Sequence, residues 1–230
     1  MSTETLAPIE DDVDRPPPVQ IAIVSDFICP WCLIGHERLQ KTLAEFDGKV
    51  DVEITWLPFE LNPNMPPEGK DRREYRTAKF GSWDYSQELD AGTVAAGSPD
   101  GVTFNYDLIE RTPNTFAAHR LSWYASQTGR QTEMVTALLE AYFQKGRDIG
   151  DYETLASVAN DLGFDRNDIL RFLNSEEGVK EVGDLARRTR SVVRGVPHIE
   201  IADAVIQGAQ PPAVFRAAIE TAVQSAGSQT

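Results

Sequence analysis

The chain of 230 residues is short of cysteine, of basic charge and of long apolar runs, and each shortage closes off a class of protein. Two cysteines are too few for a disulfide-stapled secreted scaffold. In a reducing compartment a lone pair of thiols is instead catalytic or metal-binding. Lys and Arg number 22 against 36 Asp and Glu, a net charge of −14 that disfavours a sequence-independent grip on nucleic acid or anionic membrane. No apolar run approaches the ~20 residues that span a bilayer. Residues 1–20 lack a basic stretch followed by an apolar one, so no secretory signal is read there. The expected compartment is the cytoplasm. No internal repeat is visible.

What remains has an ordinary globular composition, 41% hydrophobic and 25% charged. Its length suits one elaborated domain or two packed closely together. Residues 1–19, with Glu4, Glu10, Asp11, Asp12, Asp14 and a Pro16-Pro17-Pro18 run, are expected to be a disordered acidic tail. Ile21-Ala22-Ile23-Val24 is a β-branched apolar run suited to a buried strand. After it, Ile34, Leu39, Leu43 and Phe46 share one helical face. Between strand and helix sit the two cysteines, in Cys29-Pro30-Trp31-Cys32. Thiols two residues apart at a helix start can close and reopen a small disulfide ring. The free amides and dipole at that helix end favour a thiolate on the first of them.

Asp51 to Leu57 alternates polar and apolar residues and predicts a second strand, completing a βαβ unit with parallel pairing and a right-handed crossover. Residues 61–190 then read as a helical insertion. Asn114, Asp151 and Ser175 are its expected N-caps, Gly129 and Gly163 its stops, and 91–101 a flexible loop. Beyond Gly195, Ile199 to Ile201 and Ala204 to Ile206 form a hairpin around Asp203. A last helix carries Val214, Phe215, Ala218, Ile219 and Val223, and 225–230 is an expected frayed end.

This order resembles a thioredoxin-like fold split by a large all-helical insertion, the DsbA-like version of α/β architecture. The core takes residues 20–60 and 191–224. The segment Ser25-Asp26-Phe27-Ile28-Cys29-Pro30-Trp31-Cys32-Leu33-Ile34-Gly35 is similar to the opening motif of FrnE-type DsbA-family oxidoreductases. Arg111 to Arg120, Gly195-Val196-Pro197 and Gly208-Ala209-Gln210-Pro211 complete the resemblance, which spans about 20–222. Leu33 stands where an aromatic residue is common, and His198 and Glu200 where bulky apolar residues are usual.

The resemblance implies a thiol-disulfide oxidoreductase with no bound cofactor. Cys29 would attack a disulfide and Cys32 would resolve the mixed disulfide. The Val196-Pro197 bond would be cis and face Cys29, with Pro197 shaping the site. Its partners would be proteins or peptides carrying a disulfide or thiol, lying along Val196 and an edge strand near Ile199. Glutathione or thioredoxin would serve as redox partner. Pro30 suits the first helical turn, whereas Trp31 is either a cover for apolar surface or an ordinary half-buried aromatic. Asp26 either relays protons to Cys32 or serves as a turn residue.

The three histidines have their own readings. His36 is expected on the solvated surface, one turn past Cys32. His119 lines the cleft or satisfies a buried polar site, and His198 touches substrate or solvent. A zinc site on Cys29 and Cys32 with a histidine is the competing use of the pair, but no second close pair follows and no metal is expected. A glutathione-dependent isomerase or transferase of the kappa or hydroxychromene-carboxylate type is the rival activity. It needs no second thiol.

Overall fold

The computed structural model describes residues 17–227. The tail expected over 1–19 lies outside the described residues as far as position 16, and Val19 already belongs to a strand. The predicted βαβ unit is present as β1 (Val19–Ser25), α1 (Pro30–Ala44) and β2 (Val52–Pro58). β1 is buried on both faces for most of its length, which is why its sequence is a continuous apolar run rather than an alternation. β2 alternates exposed and half-buried positions until Trp56, so only one of its faces meets the core.

The insertion follows. It contains β3 (Lys70–Asp71), α2 (Arg72–Phe80), α3 (Trp83–Gly97), β4 (Arg111–Thr112), α4 (Phe116–Ser126) and α5 (Gln131–Phe143). It continues through α6 (Tyr152–Asp161), α7 (Arg166–Leu173) and α8 (Val179–Val192). β3 and β4 form a two-residue antiparallel ladder, so the insertion is helical apart from that clasp. The chain then returns to the core as β5 (His198–Ile201), β6 (Ala204–Gln207) and α9 (Pro212–Gly227). α9 runs past the expected fraying point at 225; residues 228–230 lie outside the described residues.

The sheet order is β2-β1-β5-β6, with β1 parallel to β2 and the other neighbours antiparallel. β5 is therefore an inner strand. The expectation of an edge strand near Ile199 fails because the β5–β6 hairpin docks through β5, whose Ile199 pairs with Ile23 on one side and Ile206 on the other. α1 and α9 pack together, and α5 and α8 pack on β2. One apolar core runs through both parts, joining Ile21, Leu39 and Phe215 to Leu121, Leu138 and Leu155.

Local signals explain the helix starts. Asp71, Ser82, Asp151 and Asp165 each cap a helix by accepting the amide of the third residue on, at 2.8 to 3.1 Å. Of the expected caps, only Asp151 holds that position. Asn114 precedes the cap residue Thr115 and accepts from Phe116 N at 2.9 Å. Ser175 accepts from Glu177 N at 3.1 Å in the turn before Gly178, which begins α8.

The expected loop over 91–101 is instead the second half of α3 and a 3₁₀ turn. One glycine there, Gly97, is a spacer. A Cβ on Gly97 would sit 3.0 Å from Val102 and 3.3 Å from Ile34, so the bare position lets α3 approach α1. Asp90 fixes the same helix from within, accepting from Arg72 at 2.6 Å and from Arg76 at 2.7 Å. Removing a carboxylate that holds two sheltered guanidinium groups leaves both uncompensated. Asp90→Ala should therefore lower the unfolding free energy by about 3 kcal/mol, read by urea denaturation. A change below about 1 kcal/mol would mean that solvent already screens this trio.

Candidate active site

Cys29 is the residue that begins α1, and Pro30 occupies its first turn, where a missing N–H costs nothing. The Cys29 N–H donates to Asp26 O at 3.1 Å, closing the turn between β1 and the helix. Both cysteines are free thiols, Cys29 5% exposed and Cys32 2% exposed. Cys29 Sγ donates to the Val196 carbonyl at 3.7 Å. Burial, then the neighbouring Cys29 sulfur, push the Cys32 thiol well above the ordinary thiol range; the Ser25 hydroxyl and a backbone hydrogen bond from Asp26 oppose this. At neutral pH Cys32 is thus a protonated, sheltered thiol, placed behind Cys29 rather than beside it at the surface.

The Val196-Pro197 bond is cis. Two approaches hold this loop against α1. A Cβ on Gly35 would lie 3.2 Å from Pro197 Cγ, so the bare position lets the helix pass close to the loop without crowding it. The Gly208 N–H donates to the Pro197 carbonyl at 2.8 Å. Arg38 then links three parts, donating to Ala209 O and Asp100 Oδ2 at 2.6 Å each and to Ala96 O at 3.1 Å. Three of the four motifs, far apart in sequence, therefore meet along the first half of α1.

Asp26 is fully buried. Its Oδ2 accepts from the Leu61 N–H at 2.7 Å, and its Oδ1 lies 3.5 Å from His119 Nε2. The carboxylate thus anchors the chain leaving β2, and Asp26 meets Cys32 through its backbone. His119 is buried, its ring 4.8 Å from that of Phe27 and its Nε2 without a hydrogen-bond partner. Glu60 joins this cluster unforeseen. Burial raises its carboxyl, against the charges of His119 and Arg190. Its position just past the C-terminal end of a parallel strand was the available signal.

Two histidine expectations are corrected. His36 is buried, not solvated: its Nε2 meets Thr136 Oγ1 at 2.9 Å and its ring packs edge-on to Trp56 at 5.3 Å. The insertion covers the face of α1 that would otherwise meet water. His198 is neither exposed nor a lining residue of the cysteine cleft. It is buried on β5, with its Nε2 2.8 Å from Glu200 Oε1 and its other ring nitrogen against Gln207. Among the described residues no three His, Cys, Asp or Glu side chains converge as a metal site.

Cys29 opens into a cleft of about 600 Å³ between the core and helices α2 and α3. Pro30, Trp31 and Val196 line it with Cys29, and Trp31 is 43% exposed there, so it belongs to the mouth. The opposite wall carries Asn62, Tyr75, Arg76 and Lys79, none of them evident from sequence. Tyr75 and Lys79, one turn apart on α2, were the only hint. A larger cleft of about 880 Å³, over Arg72, Trp83 and Tyr106, holds neither cysteine.

Comparison with known proteins agrees with this geometry. A family model for the DSBA-like thioredoxin domain matches residues 20–220. The chain therefore belongs to the DsbA-like thioredoxin family and is by class a thiol-disulfide oxidoreductase. A solved probable DsbA oxidoreductase from Streptomyces coelicolor is 28% identical, with a TM-score of 0.80 and 90% of each chain covered. The uncharacterized protein YwbO of Bacillus subtilis is 28% identical over 203 residues, 87% of this chain and 96% of its own. A 2-hydroxychromene-2-carboxylate isomerase shares the fold at 16% identity and a TM-score of 0.69, covering 92% of this chain and 99% of that one.

The buried His36 makes a pH-dependent contribution. Burial lowers its pKa from 6.5 to about 4, so between those values the unfolded chain binds the extra proton. No penalty is present above pH 6.5, and stability is lost as pH falls from there towards 4. Between those limits wild type should lose up to about 3 kcal/mol more than His36→Gln. Parallel urea curves for the two proteins from pH 7 to 4 test this; superimposable pH profiles would contradict it.

Proposed function

We propose that this protein is a cytoplasmic, FrnE-type oxidoreductase that exchanges electrons between the Cys29/Cys32 pair and protein or peptide disulfides. The observation that carries the reading is the placement of one thiol in the lining of a cleft, against Val196, with a second, fully sheltered thiol next to it. In the oxidising direction for the enzyme, Cys29 as thiolate attacks one sulfur of the substrate disulfide. The first substrate thiolate leaves and takes a proton. Cys32 then attacks Cys29 Sγ, passing its proton to the second departing thiolate. Two electrons move to the substrate, which ends as two thiols, and the enzyme ends as the disulfide. Run backwards, the same steps reduce the enzyme and oxidise a dithiol.

In this reading Pro197 and Val196 shape the wall that a substrate chain meets. Val196 lies outside the ladders of β5, which leaves its backbone as the place for an extended segment to pair. The helical insertion, residues 61–190, roofs the cleft. Glutathione or thioredoxin is the partner that resets the pair, and no resident cofactor is needed. The scarcity of cysteine supports a reducing compartment.

The two sulfurs should divide the work. Cys29→Ser should abolish turnover, whereas Cys32→Ser should retain attack and accumulate mixed disulfides that a reductant releases. Alkylation against pH should label Cys29 first, because burial holds Cys32 protonated. If Cys32 alkylates faster below pH 8, the roles are reversed. If Cys32→Ser keeps full turnover with reduced glutathione, the isomerase or transferase reading replaces this one.

A further inference from the structure

We propose that the C-terminal end of α8 and the loop after it form a docking surface, outside the Cys29 cleft, for an acidic segment of a disulfide-bearing protein partner. This deepens the redox reading and rests on it. In a chain of net charge −14, residues 185–199 carry Arg187, Arg188, Arg190 and Arg194 and no Asp or Glu. Such a stretch reverses the local field. It attracts acidic segments that the rest of the surface repels.

The four arginines divide into two pairs. Arg187 and Arg190 are held: Arg187 meets Asp184, and Arg190 donates to the Glu60 carbonyl with its guanidinium 4.8 Å from the centre of the Phe59 ring. Arg188 and Arg194 are exposed, and neither guanidinium has a hydrogen-bond or ion-pair partner among the described residues. Arg188 and Val192 stand one turn apart on α8 and share a face. Val192 is 77% exposed, more than any other large apolar side chain among the described residues. Two unpaired guanidinium groups around an exposed apolar side chain suit a peptide that mixes carboxylates with apolar residues. A nucleic acid fits less well, because its charge continues at every nucleotide past the arginines and onto an acidic surface.

Position ties this surface to the chemistry. Val193 packs with Val24 and Phe59 in a small apolar cluster that Val196 joins. Arg194 is two residues before Val196, at most about 7 Å along the chain from the residue whose carbonyl faces Cys29 Sγ. An acidic segment lying over Arg188 and Arg194 therefore delivers a neighbouring disulfide to the thiol. The arginines read the charge that flanks the disulfide, and the cleft takes the disulfide itself.

The test uses three peptides of equal length, each with one cysteine held as a disulfide with 2-mercaptoethanol and flanked by a run of Glu, Gln or Lys. Each oxidises the reduced protein to the Cys29–Cys32 disulfide and leaves as free peptide thiol and 2-mercaptoethanol. Rates are normalised to those with free dithiothreitol, which removes differences in intrinsic reactivity. At low salt the Glu peptide should react about fivefold faster than the Gln peptide, although the net charge of −14 taken alone predicts the opposite order. High salt should bring that ratio to unity. The Arg188→Gln/Arg194→Gln double variant should abolish the ratio while keeping the rate on the Gln peptide, and the corresponding double Lys variant should retain it. Equal rates in wild type, or a ratio that survives the double Gln variant, would overturn the docking surface and leave the redox reading standing. If no peptide oxidises the protein, the redox reading fails, and anisotropy of a labelled, cysteine-free Glu peptide decides the surface separately. Salt-sensitive binding lost in the double Gln variant supports it. No binding, or binding only of a single-stranded DNA of equal charge, overturns it.

Discussion

The structure depends on how closely the start of α1 can approach the loop at Val196-Pro197. The two belong to opposite ends of the chain, separated by the entire insertion. Their contact sets the position of the Cys29 sulfur against the Val196 carbonyl and gives the thiol pair a wall to work against. It is possible because residue 35 has no side chain where Pro197 Cγ passes. The Gly208 N–H then holds the Pro197 carbonyl, and Arg38 ties the same helix to Ala209 and to Asp100 of the insertion. A side chain at Gly35 would press on Pro197 Cγ and require it to give by a few tenths of an ångström.

From that contact the electrostatics follow. Placing Cys29 at the helix start leaves Cys32 one turn further in, where water is excluded and its charged form is disfavoured. Asp26 ends β1 directly beneath, and its carboxylate reaches across to the Leu61 amide. The chain leaving β2 is thereby fixed where Leu61 and Asn62 border the cleft. His119, arriving from α4, sits 3.5 Å from the free oxygen of Asp26, so the insertion and the core share a polar contact inside an otherwise apolar interior. The insertion thus helps to hold the thiol site in place as well as to roof it.

Much of this was legible in the residues. The apolar run before Cys29, the alternation at 51–57 and the Asp203 turn define the βαβ unit and the hairpin by local periodicity alone. The cysteine pair and the proline loop were marked by motif, and the cis bond at Pro197 matches the expectation drawn from the resemblance. What escaped has a common physical origin in tertiary context. His36 looked solvated because helix geometry cannot show that Trp56 and Thr136 cover it. Gly97 looked like a breaker because nothing local reveals the close pass of α1 at Ile34. Glu60, Asn62 and Lys79 carry no motif; only the fold gathers them.

The central claim is that Cys29 and Cys32 are one reversible two-electron couple. It is tested most directly by equilibrating the purified protein across a series of reduced to oxidised dithiothreitol ratios, quenching with an alkylating agent and recording the intact mass. The account expects one transition between a doubly alkylated monomer and an unalkylated monomer lacking two protons, with the slope of about 30 mV per tenfold change in ratio of a two-electron process. Two thiols that stay alkylatable across the whole range, or a disulfide found only between two chains, would contradict it.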